Sequence, residues 1–396
     1  MKMIRLGDIA TIYNGNSINA TVKKEKYMKN VPGWNYIGTK DVGFDGTISY
    51  NTGVIIPYFE TGFRIAPAGS IFVCSEGGSA GKKTAIVNED VCFGNKLFAI
   101  VNDKGKFLPK YLFYYSRFER FREQFRLLST SLMGGISSKN FAAIEVPLYD
   151  LPDQERIVAR IEEMFSQLDA GVETLKKTKA QLAVYRQAVL KEAFENCIDS
   201  ITMASVATMI DPQPSHRTPP EFENGIPYIG IGDIDYTGKT IRFKDARKVN
   251  PVVHEEQLQR YTLREGDFVM GKIGTIGKPF RLPLPQNYTL SANVILIQPD
   301  AERINPEYLF WQFSSPLITE QLMEGKNETS QPAFGIQKAR LLQIKMCSPE
   351  DQDRIVYDIR EKISVCENIE QTVTLSLQQA EAMRQSILKE AFEGSL

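Results

Sequence analysis

Histidine is nearly missing from this chain of 396 residues, which has only His216 and His254. Two histidines put a histidine-rich metal cluster and a Ser–His–Asp arrangement out of reach. The chain also lacks a G-x-G-x-x-G string that opens a helix, an Asn-Pro-Pro-aromatic motif and a nuclease carboxylate cluster followed by Glu-x-Lys. We therefore expect no catalysis by this chain alone.

Cysteine is scarce, and its number is odd. The five cysteines are scattered without the spacing of metal ligands, at Cys74, Cys92, Cys197, Cys347 and Cys366. Such a pattern is typical of a reducing cytoplasm rather than of a disulfide framework. A signal peptide and an apolar run long enough to cross a membrane are missing too, so we expect a cytoplasmic protein.

Net charge is also close to absent, at −1, so bulk electrostatics does not indicate a nucleic-acid partner. The distribution of charge is more informative. Residues 1–150 carry 19 Lys and Arg against 13 Asp and Glu, whereas residues 196–350 carry 16 against 18. The first half therefore holds the excess of cations.

What the chain does contain is a long internal repeat. The string DQERIV begins at 153 and KEAFE at 191, and the chain returns to DQDRIV at 351 and KEAFE at 389. Both pairs are offset by 198 residues, which is half of the length. The protein is therefore two halves, each a variable segment followed by one repeated stretch.

Each repeated stretch predicts one long helix. Apolar residues recur every seven positions, with a second set beside them: Ile161, Leu168, Leu175, Leu182 and Val189 with Phe165, Val172 and Ala193, then Ile359, Cys366, Val373, Ala380 and Ile387 with Ile363, Leu377 and Ala391. A heptad repeat of this length indicates a coiled coil. Asp150 and Ser348 are candidate N-caps, and Asn196 and Gly394 tolerate the left-handed conformation that ends a helix.

The order of the segments predicts how the helices pair. About 45 residues at ~1.5 Å each make a rod of roughly 65 Å. The second variable segment joins the end of helix one to the start of helix two, which favours an antiparallel pair. The end of helix two then returns to the first variable segment, and we expect a dumbbell with one globular domain at each end.

The two variable segments read as diverged copies of one α+β fold. WNYIGTKDV at 34 corresponds to IPYIGIGDI at 226, and LPKYLF at 108 corresponds to NPEYLF at 305. Short apolar runs between Gly, Asn and Pro clusters predict strands. Residues 109–128 predict one helix with an aromatic side and an arginine side that includes Arg117, Arg120, Arg122 and Arg126.

These features resemble the specificity subunit of a type I restriction-modification system. The resemblance is carried by the D-Q-[ED]-R-I-V and L-K-E-A-F-E strings and by the IG-x-x-D-[VI] and G-[ST]-[AI]-G-K strings, each present in both halves. It implies target recognition domains at 1–150 and 197–348, and conserved spacer helices at 151–196 and 349–396. It also implies double-stranded DNA and two methyltransferase subunits as partners, with restriction subunits as a further option.

The resemblance implies no cofactor on this chain. S-adenosylmethionine, and ATP with Mg where a nuclease subunit is present, would be bound by the partner subunits. The glycine-rich strings do not contradict this, because Glu76 and Lys272 stand where a phosphate-binding loop needs its first glycine. A tight turn is the simpler interpretation, and contact with DNA phosphates is the alternative.

Polar and basic loop residues are the candidates for DNA contact, because Asn and Arg can bind base edges and Lys suits phosphates. The lysines after Asn19 run through Lys23, Lys24, Lys26 and Lys29. The candidate DNA-binding residues are Asn16, Asn19, Lys23, Lys24, Lys82, Lys83, Arg117, Arg120, Ser215, His216, Arg217, Thr218, Lys272 and Lys278. An ordinary solvated loop remains the alternative for each.

Val184, Tyr185 and Leu190 lie beside the seam of helix one and are candidates for an exposed partner-binding surface. Since the net charge is near zero, we expect weak DNA binding by the isolated chain and stronger binding with partners. The competing hypotheses are a coiled-coil scaffold whose end domains bind proteins or glycans, and a subunit split from a larger methyltransferase-nuclease.

Overall fold

The computed structural model describes residues 2–28, 31–129, 135–325 and 333–393. Lys29 and Gly394, which the sequence analysis named, lie outside these ranges. Within them, every helix is either too short or too polar to cross a membrane.

The chain divides into two compact units. Unit 1 consists of Met1–Leu175 and Leu375–Leu396, and unit 2 consists of Lys176–Thr374. Each unit therefore combines one variable segment with the first part of one repeated helix and the last part of the other. The predicted return of the C-terminal helix to the first variable segment is confirmed.

Unit 1 contains short strands and helices, followed by the first long helix. Its strands are β1 Lys2–Arg5, β2 Thr11–Asn14, β3 Gly33–Ile37, β4 Ile55–Pro57, β5 Ile65–Ala66, β6 Ile71–Cys74, β7 Thr84–Ile86, β8 Val91–Phe93, β9 Leu97–Val101 and β10 Glu145–Leu148. Its helices are α1 Leu6–Ile9, α2 Ala20–Val22, α3 Pro109–Arg117, α4 Glu119–Leu128 and α5 Ser138–Ala142. The long helix α6 is Leu151–Ala193, and its last part belongs to unit 2.

Unit 2 repeats this order and then enters the second long helix. Its strands are β11 Asp199–Thr202, β12 Ala207–Ile210, β13 Ile226–Ile229, β14 Ile234–Asp235, β15 Thr240–Ile241, β16 Lys248–Val249, β17 Phe268–Gly271, β18 Pro279–Arg281, β19 Thr289–Leu290, β20 Val294–Pro299 and β21 Gln343–Met346. Its helices are α7 Pro251–Arg260, α8 Pro306–Phe313, α9 Pro316–Gly325 and α10 Ile336–Arg340. The long helix α11 is Pro349–Glu393, and its last part belongs to unit 1.

The two units share a sheet topology. An antiparallel sheet runs β2-β9-β6-β7 in unit 1 and β12-β20-β17-β18 in unit 2. A second sheet in each unit contains one parallel pair, Tyr36 opposite Cys92 in unit 1 and Tyr228 opposite Thr289 in unit 2. Just after each pair, an aspartate accepts a hydrogen bond from a glycine N–H, Asp41 at 2.9 Å and Asp233 at 2.8 Å. The predicted α+β class and duplicated domain are confirmed.

The predicted heptad positions form the buried stripe of α11. Seven of the eight predicted seam residues of this helix are buried, and Leu377 is half-buried. Both predicted N-caps are also present. Asp150 Oδ1 accepts from the N–H of Asp153 at 3.0 Å, and Ser348 Oγ accepts from the N–H of Asp351 at 3.1 Å.

The glutamine of each repeated DQ string connects the start of a long helix to its variable segment by hydrogen bonds. Gln154 is fully buried, accepts from the N–H of Leu108 at 2.8 Å and donates to the Lys106 carbonyl at 3.1 Å. Gln352 accepts from the N–H of Asn305 at 2.9 Å in the same way. Sequence reasoning missed this role, although both the DQ and the L/N-P-x-Y-L-F strings occur in each half.

The phenylalanine of each KEAFE string closes the core of a unit. Phe392 packs edge-on against Tyr111 in unit 1, with ring centres 5.3 Å apart. Phe194 packs against Tyr308 in unit 2 at 5.4 Å with the same edge-on geometry. Each variable segment is therefore sealed by the end of the long helix that comes from the other half of the sequence.

The single helix predicted over residues 109–128 is wrong in one respect. Phe118 has an extended backbone, which separates α3 from α4. The break lets Phe118 bury its ring beside Tyr115 and Phe392, and the N–H of Glu119 then donates to Gln385 Oε1 at 3.2 Å. The aromatic side predicted for this stretch is nevertheless buried throughout.

Candidate nucleic-acid interface

The loop after β2 holds Asn16 and Asn19, and both side chains are bound within the protein. The Asn16 amide donates to the Gly62 carbonyl at 3.1 Å, and its Oδ1 accepts from the N–H of Arg64 at 2.7 Å. Asn19 Oδ1 accepts from the N–H of Thr21 at 2.9 Å and caps α2. These two side chains shape the loop, and their contact with base edges stays a prediction.

Lys23 and Lys24 begin a π-helical turn, Lys23–Tyr27, that follows α2 directly. Lys23 Nζ lies 4.4 Å from the centre of the Tyr36 ring. Burial, followed by repulsion from Lys40, lowers the pKa of the Lys23 ammonium. An anion bound here would relieve that repulsion. Lys24 is exposed beside it.

Lys83 approaches the same region from the glycine-rich string. Its Nζ donates to the Thr39 carbonyl at 3.0 Å and lies 5.0 Å from the centre of the Phe44 ring. Thr39 and Lys40 belong to the short 3-10 turn Thr39–Asp41. We call Lys23, Lys40 and Lys83 the lysine cluster. Sequence reasoning missed Lys40, although it lies inside the IG-x-x-D string of the first half.

The glycine-rich strings form tight turns in both units. Gly81 and Gly277 have φ of +67° and +75°, in the left-handed region that favours glycine. A Cβ at Gly81 would lie 2.9 Å from Phe125, and one at Gly277 would lie 2.1 Å from Leu322. The predicted turns are confirmed. Lys82, which follows the first turn, is exposed, and its contact with phosphate stays a prediction.

Arg117 and Arg120 do not share a helix, because the break at Phe118 puts Arg117 at the end of α3 and Arg120 in α4. Arg117 lines a cleft with the carboxylates of Asp45, Glu162 and Asp169. Burial, followed by repulsion from Arg122, lowers the pKa of the Arg117 guanidinium. Arg120 is exposed. The prediction of one arginine face is therefore wrong, and Arg120 is the better placed of the two for a phosphate.

In unit 2 the predicted loop Ser215, His216, Arg217 and Thr218 is fully exposed. His216 adopts a left-handed φ of +53°, and its Nε2 lies 3.7 Å from Asp211 Oδ2. Lys272 Nζ lies 2.8 Å from the same carboxylate oxygen, and its side chain is only 12% exposed. The charge of Lys272 is therefore compensated inside the protein, and Arg217 is the exposed cation of this loop.

Lys278 follows the second glycine turn and is exposed. Its Nζ lies 4.2 Å from the centre of the Tyr236 ring. Both residues line a cavity of about 720 Å³ whose walls include Phe310 and Trp311. Lys278 thus combines an exposed charge with an aromatic support.

The long helices carry exposed apolar side chains beside their seam. Val184 is 70% exposed and Tyr185 is 50% exposed, as predicted for a partner surface. Leu190 is only 3% exposed, so its predicted exposure is wrong; it packs in the core of unit 2. Sequence reasoning missed the exposed large apolar residues of α11, which are Tyr357, Val365, Ile369, Leu375 and Met383.

Comparison with known proteins identifies what this chain is similar to. A family model described as the type I restriction modification DNA specificity domain matches residues 1–183. A chain from a solved structure of a type I R-M system has the same fold, with a TM-score of 0.72 at 15% identity over 100% of this chain and 98% of that chain. The family model and two relatives show a similarity to the specificity subunits of type I restriction-modification systems, and the solved chain shows the shared fold.

Two relatives of this chain come from Escherichia coli. The EcoBI specificity subunit is 22% identical over 288 residues, which cover 66% of this chain and 60% of the relative. The EcoKI specificity subunit of strain K12 is 24% identical over 314 residues, which cover 72% of this chain and 65% of the relative. The chain thus spans less than two thirds of the length of both relatives.

Proposed function

We propose that this chain recognises double-stranded DNA for a type I restriction-modification complex and leaves catalysis to its partners. One observation carries the proposal: two units repeat one sheet topology, while their exposed polar loops differ in sequence. Two copies of one reader with different loops suit a target of two unlike half-sites around an unread spacer. Residues 1–150 would read one half-site and residues 197–348 the other.

The basic groups that support this proposal differ between the units. In unit 1 they are the lysine cluster with Lys24, Lys82 and Arg120. In unit 2 they are Arg217 and Lys278, which are both exposed in a segment without net positive charge. We expect phosphate contacts from these residues to position the duplex, and the adjacent loops to read bases.

The partners proposed for this subunit are two methyltransferase subunits, with restriction subunits as an option. Adenine methylation would then use S-adenosylmethionine on the methyltransferase, and any translocation would use ATP and Mg on the restriction subunit. Gel-shift titration of random duplexes, with and without a methyltransferase partner, tests the proposal against a scaffold that binds protein or glycan. A scaffold would leave the duplexes unshifted in both conditions.

Replacing one lysine of the cluster is expected to weaken DNA binding to the same degree on every sequence. For Lys40→Ala, the slope of log affinity against log salt should become shallower by about 1. The reason is that the variant makes one phosphate contact fewer and therefore releases about one counterion fewer. Filter binding between about 50 and 200 mM salt measures the slope, because the logarithm of affinity falls linearly with the logarithm of salt concentration.

The matched control is Lys104→Ala. Lys104 is also exposed, but its ammonium donates to the carbonyls of Gly7 and Asp8 at 3.3 and 3.1 Å. Its slope should equal that of the unchanged chain. Equal slopes for both variants would remove the lysine cluster from the interface.

Exposed apolar residues of the long helices support the proposal that methyltransferase subunits dock there. Tyr185 lies in unit 2, and Met383, its counterpart 198 residues later, lies in unit 1; they are 50% and 55% exposed. Each unit therefore offers one of two repeat-related surfaces, and Val184 adds apolar area beside Tyr185. Two similar surfaces favour two copies of one partner.

Tyr185→Asp and Met383→Asp are each expected to reduce the number of bound methyltransferases from two to one, because a carboxylate would be buried without a partner. The double variant should bind none. Native mass spectrometry at saturating methyltransferase counts the subunits. Leu127→Asp, at a residue 85% exposed in α4, is the control and should keep two. A count of one for the unchanged chain would contradict the proposal.

A further inference from the structure

Unit 1 presents an aromatic loop, residues 57–64, between β4 and β5. Phe59 is 81% exposed and its neighbour Tyr58 is 60% exposed. Single exposed apolar residues are common on protein surfaces, but two adjacent aromatic rings on one loop are a larger apolar feature. The question is whether the loop holds them in a fixed position.

Five contacts hold the aromatic loop. The Tyr58 ring packs edge-on against Trp34 of β3, with centres 4.8 Å apart. The Phe63 ring packs edge-on against Tyr27 at 5.7 Å. Asn16 bonds the backbone of the loop at Gly62 and Arg64, as described above, and Arg64 Nη1 donates to the Asn14 carbonyl at 2.9 Å. The parts of the loop on both sides of Phe59 are therefore held in place, so the loop loses little conformational freedom on binding.

Basic groups surround the aromatic loop. Lys26 Nζ lies 2.5 Å from Glu60 Oε1, which joins the loop to the π-helical turn that also carries Lys23 and Lys24. Arg64 is exposed at the end of the loop. Glu60 is compensated by Lys26, and the cations Arg64, Lys23 and Lys24 outnumber Glu25, so the remaining charge of the loop and the turn is positive. An apolar ring within a positive surface matches a polyanion with stacked aromatic bases.

Unit 2 is built differently at the corresponding place in the chain. Between β16 and β17 it has the helix α7, whereas unit 1 has the aromatic loop and β5 between β4 and β6. The shared topology thus changes at this position, which is where two readers of unlike half-sites can differ.

From these observations we propose that Phe59 inserts as a wedge between stacked base pairs at the half-site of unit 1, with Tyr58 as its support. This inference rests on the proposed function and names one residue that acts in it. Apolar side chains that enter a base step unstack it partly and kink the duplex, with phosphate contacts on either side compensating the cost. Sequence steps that unstack easily would be preferred at that position.

The test uses the full chain with its methyltransferase subunits and a duplex of the sequence that methylome sequencing identifies. 2-Aminopurine, which brightens when it loses stacking, is placed at successive positions across both half-sites. The methyltransferases should raise the fluorescence at the methylated position of each half-site, because they extrude their target base. The unchanged chain should raise it at one further step, in one half-site only. Phe59→Ala should abolish that rise and weaken binding about tenfold to a hundredfold, the range for loss of one aromatic–base contact. Phe59→Trp should retain both the rise in fluorescence and the affinity of the unchanged chain.

Leu127→Ala is the control, because Leu127 is 85% exposed in the same unit and lies outside the aromatic loop. It should bind and brighten like the unchanged chain. Unaltered binding by Phe59→Ala would overturn the wedge. Weaker binding by that variant would also overturn it if the unchanged chain did not raise the fluorescence at the further step. Loss of methyltransferase subunits from Phe59→Ala would assign the loop to a protein partner and overturn it as well. If the unchanged chain showed no preference for the methylated sequence, the proposed function itself would fail.

Discussion

Exchanging residues 1–150 for the corresponding segment of a type I specificity subunit is expected to change one half-site of the methylated target and leave the other unchanged. Unit 1 and unit 2 have separate sheets and separate hydrophobic cores, so the fold of one reader does not depend on the loops of the other. The exchange has the largest functional effect expected here, because it replaces every proposed contact to one half-site. Methylome sequencing of cells that express the complete system measures both half-sites.

The design must keep the contacts that attach the segment to the long helices. Gln154 binds the backbone at Lys106 and Leu108, and Phe392 packs on Tyr111, so a donor segment needs its own P-x-Y-L-F string at this place. The reciprocal exchange of residues 197–348 is the control and should change only the other half-site. A change in both half-sites from either exchange, or a continuous target, would refute the two-reader proposal.

Phe392→Ala is expected to cause the largest loss of stability. The ring is 2% exposed and lies 5.3 Å from Tyr111 and 5.2 Å from Tyr115 by ring centres. Removing a buried phenylalanine ring costs about 3–5 kcal/mol, through lost burial and the cavity that remains. Urea unfolding should show a lower midpoint for unit 1. Phe194→Ala should have a similar effect on unit 2, because Phe194 is 3% exposed against Tyr308.

Tyr185→Ala provides the comparison for both variants. It removes an aromatic ring from the same pair of helices, but the ring is half exposed, so the midpoint should stay within the small range of surface substitutions. A midpoint for Phe392→Ala equal to that of Tyr185→Ala would show that the KEAFE end of α11 does not seal unit 1. The predicted exchange of segments would then lose its structural basis too.

The near-zero net charge of this chain is compatible with DNA binding because opposite charges are separated. Carboxylates gather in the cleft where Arg117 lies, and Asp211 neutralises Lys272 within unit 2. The lysine cluster instead forms at one turn of unit 1. A total of −1 thus describes the average and not the distribution of charge, and the proposed DNA contacts use local groups of cations.

The sequence by itself determined the features that depend on local spacing. A heptad repeat specifies the seam of a helix from neighbouring turns alone, and seven of the eight seam positions predicted for α11 are buried. The same holds for the N-caps Asp150 and Ser348, and for the glycine turns at Gly81 and Gly277. The internal repeat of 198 residues then implied one α+β domain present twice.

Only the tertiary structure decided the features that depend on residues distant in sequence. Leu190 is buried by its packing in the core of unit 2. Phe118 interrupts a helix because its ring packs on Phe392 and the N–H of Glu119 donates to Gln385, both distant in sequence. Asn16 is engaged by Gly62 and Arg64. A side chain's partner across the fold sets whether it is buried, neutralised or free to bind, and spacing along one segment carries no information about that partner.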